Sequence, residues 1–155
     1  MKKLYVMCGV PGMGKSTWIR NNVSKMNGLT HVVSRDDIRF SKVKEGEDYF
    51  SKENEVFKEY IEDIKESLTY CDNTIADATH LNPASRGKLF RNLGSSLDGI
   101  EVIAIVIKGS LDKALTQNEL RKETRSYVPQ SVIRRMNSSF EMPILEEGFD
   151  KIFIY

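Results

Sequence analysis

Between an apolar run, Leu4-Tyr5-Val6-Met7-Cys8, and a segment of helical spacing stands Gly9-Val10-Pro11-Gly12-Met13-Gly14-Lys15-Ser16-Thr17. Its pattern, G-x-x-x-x-G-K-[ST] after a strand and before a helix, leaves the chain few folds to choose from. Glycines let backbone approach a polyphosphate closely, consecutive N–H groups converge on its oxygens, and the following helix offers its positive dipole end. Gly12, Met13, Gly14, Lys15, Ser16 and Thr17 are therefore the expected nucleotide-binding residues. Lys15 would reach the β- and γ-phosphates and the Ser16 hydroxyl would be a ligand of Mg²⁺, so a Mg-nucleoside triphosphate is the simplest bound species.

Beyond this loop, short apolar strands and helical segments alternate, with no internal repeat or interdomain linker. Strands are predicted over 3–8, 31–33, 73–76 (ending at Asp77), 101–107 and 151–155. Helices are predicted over 15–26, with Trp18, Ile19 and Val23 turned inward, and from Ser51 as N-cap through a stripe of Val56, Phe57, Tyr60, Ile61, Ile64 and Leu68. Residues 36–40 read as the first turn of a short helix. Asn82-Pro83 opens a helix to 93, Ser110 caps one to about Arg121, and Pro129 starts another through Met136. Parallel strands need crossovers, which place helices on both faces, so the expected fold is α/β, a three-layer sandwich around a five-stranded parallel sheet. Residues 1–155 read as one domain, with a lid around 118–129.

With 40% apolar and 29% charged residues, the chain has the makeup of a soluble globular protein. No apolar run approaches the roughly 18 residues of a membrane span, and Met1-Lys2-Lys3 leads directly into a strand without a leader signature, so a cytoplasmic location and no membrane partner are expected. Cys8 and Cys71 lack metal-ligand spacing and read as small core residues, and His31 and His80 are isolated, which points to a structural or surface role for each. A net charge of +1 excludes a surface coated for wrapping long nucleic acid. The charge is uneven, however. Residues 42–66 carry five lysines against nine acids, whereas 113–135 carry six cations against Glu119 and Glu123, so an anion is expected on the later segment.

Ligands of such sheets sit at the carboxyl ends of the strands, where Gly9–Thr17, Ser34–Arg39 and Asp77 all fall. Asp77 suits Mg²⁺ coordination, or else caps the loop that follows. Asp36 could accept the proton of an attacking hydroxyl, with Arg39 at i,i+3 on the same helix face gripping a phosphate of that acceptor; Asp36 or Asp37 could equally serve as a helix cap. Arg121 and Arg125 are the candidates for an arginine brought over a γ-phosphate. Helix-end arginines favoured by the dipole are the alternative.

Together these motifs resemble the 5′-hydroxyl polynucleotide kinases of the P-loop class, the kinase module of phage end-healing enzymes and related RNA-repair proteins. The resemblance rests on Gly9–Thr17 with Trp18, on Ser34-Arg35-Asp36-Asp37-Ile38-Arg39, on Asp77-Ala78-Thr79-His80-Leu81-Asn82-Pro83 with Arg86, and on Asn118-Glu119-Leu120-Arg121 before Val128-Pro129. It implies a P-loop kinase fold, ATP and Mg²⁺ as cofactors, and the 5′-hydroxyl end of DNA or RNA as partner. It further implies Asp36 as general base, Arg39 on the acceptor's 3′-phosphate and Arg121 on the donor phosphates. Arg35, Asp37 and Arg86 join Arg39 on the substrate side. The lid loop from Arg121 to Pro129 leaves the choice between Arg121 and Arg125 open. The tail Phe140–Asp150 is similar to that of other P-loop kinases of the group, and could line the base site or dock the last strand. No phosphatase or ligase module accompanies these motifs, so a repair role would need such a partner in trans.

Three functions are open on the residues alone. The first is transfer of the γ-phosphate of ATP to a polynucleotide 5′-hydroxyl; such a terminus binder needs only a few phosphate contacts and so has a shallow salt dependence. The second is the same chemistry on a nucleoside, sugar or antibiotic. The third, a nucleotide-dependent switch or hydrolase, fits least, since no N-K-x-D guanine signature is present and Asp36 has no task in it.

Overall fold

In the computed structural model, which describes residues 1–155, five strands form a wholly parallel sheet. The strands are β1 (Lys3–Cys8), β2 (Thr30–Ser34), β3 (Asn73–Asp77), β4 (Glu101–Val106) and β5 (Lys151–Ile154), in the order β2-β3-β1-β4-β5. β1 is thus the central strand, flanked by β3 on one side and β4 on the other. A strand buried on both faces reads as a continuous apolar run. Leu4, Val6, Met7 and Cys8 of β1 and Val102 to Val106 of β4 are such runs, each residue at most 5% exposed.

Alternation along each strand divides this apolar surface into two cores. Leu4, Val6, Cys8, Ala76, Ala104 and Val106 pack with α3 (Glu53–Tyr70) and α4 (Pro83–Leu93), through Val56, Tyr60, Ile64, Leu68, Leu89 and Leu93. Met7, Ile75, Ile103 and Ile105 face α5 (Leu111–Glu119) and α6 (Gln130–Ser139), through Ala114, Leu115 and Ile133, with Trp18 and Ile19 of α1 (Lys15–Asn22) against the edge of that cluster. The three-layer α/β architecture expected from the sequence is therefore the one observed.

Element ends differ from expectation in informative ways. The helix after the loop stops at Asn22 and tightens into a 3-10 turn over Val23–Lys25. The short helix at residue 36 is a full two-turn helix, α2 (Arg35–Lys42), because Ser34 Oγ accepts from the Asp37 N–H and starts it one residue earlier. Lys52 rather than Ser51 flanks α3, with no side-chain cap. Asn82 and Ser85 form a reciprocal capping box at α4, with Pro83 at its first position, and Ser110 Oγ caps α5, as their types predict.

Candidate active site

The loop from Gly9 to Gly14 wraps the amino end of α1. Its backbone needs glycine at two points, since Gly12 has φ +83° and Gly14, the N-cap of α1, has φ +109°. At Gly12 a Cβ would also stand 2.8 Å from the Ala114 carbonyl oxygen, so α5 closes on the loop at the distance only glycine permits. No side chain caps α1. The N–H groups of Gly12, Gly14, Lys15, Ser16 and Thr17 have no protein acceptor, which makes this turn an anion nest by composition and geometry. Gly9 N–H donates to the Thr79 carbonyl at 2.9 Å, tying the loop to the segment that follows Asp77.

Lys15 folds back along this nest, and its Nζ donates to the Gly9 and Val10 carbonyls at 2.7 and 3.1 Å. Burial pushes its ammonium down to about 8, with Arg121 acting in the same direction and Asp77 and Asp36 against it. Asp77 moves the other way. Burial raises its carboxyl to about 6; Lys15 opposes that rise and the charges of Asp36 and Asp37 add to it. Both groups thus sit where a bound polyphosphate or cation would restore the charged form.

One cavity of about 810 Å³ joins this nest to the amino end of α2. Gly12, Met13, Gly14, Lys15, Ser16, Thr17, Arg35, Asp36, Arg39, Asp77 and Arg121 all line it. Trp18 and Tyr155 line it too, with ring centroids 5.7 Å apart, and the Trp18 Nε1 is buried without a partner. The sequence-predicted residues from four separate segments therefore share one space.

Three predicted residues are not brought there, and each has a physical reason. Arg86 is a fully buried residue of α4; its Nε and Nη2 donate to Glu147 at 2.7 and 3.2 Å and its Nη1 to the His80 carbonyl at 2.9 Å. It is a core ion pair rather than a substrate contact. Arg125 donates from Nη2 to the Phe40 and Val43 carbonyls at 2.8 and 2.7 Å, and lies 5.0 Å from the Phe40 ring centroid. It straps the 120–129 segment onto the carboxyl end of α2, so that of the two arginines Arg121 alone lines the cavity. Asp37 lies outside the cavity in the first turn of α2, where an acid favours the helix dipole.

Arg39 shares a helix face with Asp36, as the i,i+3 spacing predicts, but it is not free for a phosphate. Its Nε and Nη2 donate to the two oxygens of Glu53 at 2.6 and 3.1 Å, and its Nη1 donates to Asp36 Oδ1 and, at 3.0 Å, to the Tyr49 hydroxyl. Four of the five guanidinium N–H groups are committed and the side chain is 7% exposed. Burial alone would lower its guanidinium, but donation to Glu53 and the charges around it outweigh that and raise it. Burial likewise works against the Glu53 carboxylate, and its bonds to Arg39 and Arg35 hold it below the usual range. Arg35 gives Glu53 only one bond, from Nη2 at 3.0 Å, and its Nε is buried with no acceptor. Most of the unsatisfied cationic donors of this half of the cavity therefore belong to Arg35, with one Nη2 hydrogen of Arg39 beside them.

Glu53 and Tyr49 escape sequence reasoning. Glu53 reads as one of nine acids on a charged stretch, and Tyr49 falls between predicted elements; neither lies at a motif spacing from Asp36. The only available signal is an acid in the first turn of the helix that follows an R-D-D-x-R run.

Residues 4–143 match the sequence model of a family described as AAA domain. That span is most of the chain, and the chain belongs to this family. Among solved structures, a putative kinase from Chloroflexus aurantiacus J-10-fl superposes with a TM-score of 0.75 at 14% identity, covering 99% of this chain and 86% of that one. A chain of the Pnkp1/Rnl/Hen1 RNA repair complex superposes with a TM-score of 0.65 at 20% identity over 89% of this chain, which spans only 43% of that protein's length. A gluconokinase from Sinorhizobium meliloti 1021 gives 0.59 at 16% identity, over 98% and 81% of the two chains. At these identities the likeness is one of fold, and the fold is that of a P-loop kinase.

Proposed function

We propose that this member of the AAA domain family transfers the γ-phosphate of ATP to the 5′-hydroxyl of a DNA or RNA end. The observation that carries the reading is a single cavity in which the phosphate nest, the Asp36 carboxylate and the incompletely partnered guanidinium of Arg35 stand together. In this reading the nest holds the triphosphate. Asp36 accepts the proton of the attacking hydroxyl, whose oxygen bonds the γ-phosphorus as the bond to the β,γ-bridging oxygen breaks and ADP leaves. Lys15 and Arg121 neutralise charge on the transferred group, a contribution worth about 10³ to 10⁵ in rate for a well-placed arginine. Arg35 takes a phosphate of the acceptor, with the last Nη2 hydrogen of Arg39 beside it.

Mg²⁺ fits the donor set. Ser16 offers a hydroxyl and Asp77 a carboxylate on the same cavity wall, and Mg²⁺ is held by one or two protein oxygens with phosphates and waters completing its shell. When bound it supplies charge neutralisation at the β- and γ-phosphates. A polynucleotide acceptor is further supported by the fold shared with a chain of the RNA repair complex. A small hydroxylated acceptor is the second reading, favoured by the fold shared with gluconokinase.

Incubation with labelled ATP and a panel of 5′-hydroxyl oligonucleotides, nucleoside 3′-phosphates, nucleosides and sugars tests the proposal. Label on the oligonucleotides and nucleoside 3′-phosphates is expected, lost in Asp36→Asn with ATP affinity retained. Arg35→Ala is expected to raise the KM of phosphorylated acceptors and leave that of a bare nucleoside alone. Label on a sugar or nucleoside only, or near-native transfer by Asp36→Asn, would overturn it.

A further inference from the structure

The Asp36 carboxylate is 59% exposed, and a surface aspartate samples a broad torsion about its terminal bond. Here one of its oxygens is held. Oδ1 accepts from Arg39 Nη1 and, at 2.8 Å, from the Tyr49 hydroxyl, while Oδ2 accepts from no protein group. The direction of the second bond is fixed by valence. Tyr49 has one hydroxyl hydrogen, and Arg39, which reaches the same oxygen from 3.0 Å, can only donate. The phenol therefore accepts from Arg39 and must give its hydrogen to Asp36.

Tyr49 is itself immobilised. The Arg39 guanidinium lies 4.5 Å from its ring centroid, Phe50 meets it edge to face at 4.7 Å and Phe40 at 6.5 Å. Burial, and then the charge of Asp36, push its phenol well above the ordinary value, so the hydrogen stays in place at any working pH.

We propose that Tyr49 is a positioning residue that selects the oxygen of Asp36 which takes the acceptor's proton: Oδ1 is pinned by the phenol and Arg39, and Oδ2 is turned to the incoming alcohol. This rests on the reading of Asp36 as general base. The acceptor O–H breaks, its proton passes to Oδ2, and the electron pair left on oxygen forms the new bond to phosphorus. Without the phenol, the carboxylate keeps its charge and its Arg39 partner but rotates away from the productive orientation for part of the time.

Tyr49→Phe keeps the ring and removes the hydroxyl, which donates to Asp36 and accepts from Arg39. Single-turnover and steady-state kinetics of the full chain, with ATP and a 5′-hydroxyl oligonucleotide, should show kcat reduced about 10- to 100-fold, the range of a charge-assisted hydrogen bond, with both KM values within about twofold. In the Asp36→Asn background the same change should have no further effect. An unchanged kcat in Tyr49→Phe, or an equal loss with and without Asp36, overturns the assignment. Near-native transfer by Asp36→Asn alone overturns the general-base reading and this inference with it. Crystals of Tyr49→Phe give a readout free of turnover: the Asp36 carboxylate should occupy more than one orientation, and a single orientation identical to that of the wild type would refute the positioning role.

Discussion

Arg86 offers the sharpest test of whether a motif residue serves the substrate or the core. Its side chain is 0% exposed and that of Glu147 12%, and the pair is joined by two hydrogen bonds. Burial works against the Glu147 carboxylate, yet donation from Arg86 and from the Ile144 N–H holds it below the usual range. Glu147→Gln removes the charge and leaves a guanidinium in the interior with the His80 carbonyl as its remaining strong acceptor. Breaking a buried pair from one side costs about 3–5 kcal/mol, and the slight exposure of Glu147 favours the lower end, about 3 kcal/mol. For a chain of this length that corresponds to a melting temperature lower by roughly 6–12 °C, and to a urea midpoint lower by about 1.5 M at unchanged slope. Arg86→Met combined with Glu147→Leu should recover most of the loss, because an apolar pair of similar volume removes the buried charges together. Below the melting range, kcat and acceptor KM of both variants should stay within about twofold of wild type. A loss under about 1 kcal/mol in Glu147→Gln would refute the energetic argument. A stable double variant with a tenfold higher acceptor KM would return Arg86 to the substrate.

Two further outcomes follow from the buried ionisable groups. Lys15, pushed down to about 8, is half neutral at pH 8, so a triphosphate that restores its charge should take up about half a proton; calorimetry in buffers of different ionisation enthalpy checks this, and binding without proton uptake contradicts it. The second concerns acid stability, where two groups oppose each other. His80, buried neutral and lowered to about 4, makes stability fall as pH drops from 6.5, whereas Asp77, raised to about 6, makes it rise over the same interval. Each is worth about 2 kcal/mol between pH 6.5 and 4.5. Wild type should therefore be nearly flat there by urea unfolding, while Asp77→Asn should lose about 2 kcal/mol, and a flat profile in that variant would contradict the His80 assignment.

The order of elements, the loop at Gly9–Thr17 and the apolar stripe of α3 are legible in the sequence because each is local: a period, a cap or a spacing within a dozen residues. The geometry of the catalytic half is not local. Asp36 and Arg39 advertise themselves by i,i+3 spacing, but what Arg39 can still bind depends on Glu53, 14 residues on, and on Tyr49, in a stretch with no periodicity. Arg86 and Arg125 mislead for the same reason. Their partners are 61 and more than 80 residues away, and nothing in a one-dimensional pattern separates a guanidinium that meets a carboxylate from one that meets a ligand. His80 is legible as structural by its isolation, yet its φ of +41° and its bonds to the Met7 carbonyl and Tyr60 hydroxyl are visible only in the fold.

Electrostatics ties these observations to the proposed acceptor. Six cationic side chains line the cavity, Lys15, Arg35, Arg39, Lys108, Lys113 and Arg121, against the carboxylates of Asp36, Glu53 and Asp77, while the whole chain carries only +1. Positive potential is thus concentrated where a triphosphate would lie, and low-dielectric walls focus it there. The α2 side is different in kind, since Glu53 already answers Arg39 and half-answers Arg35. An acceptor with a single phosphate would find Arg35 sufficient. The grip on one phosphate near a chain end that the proposed acceptor needs can therefore be supplied by a near-neutral chain.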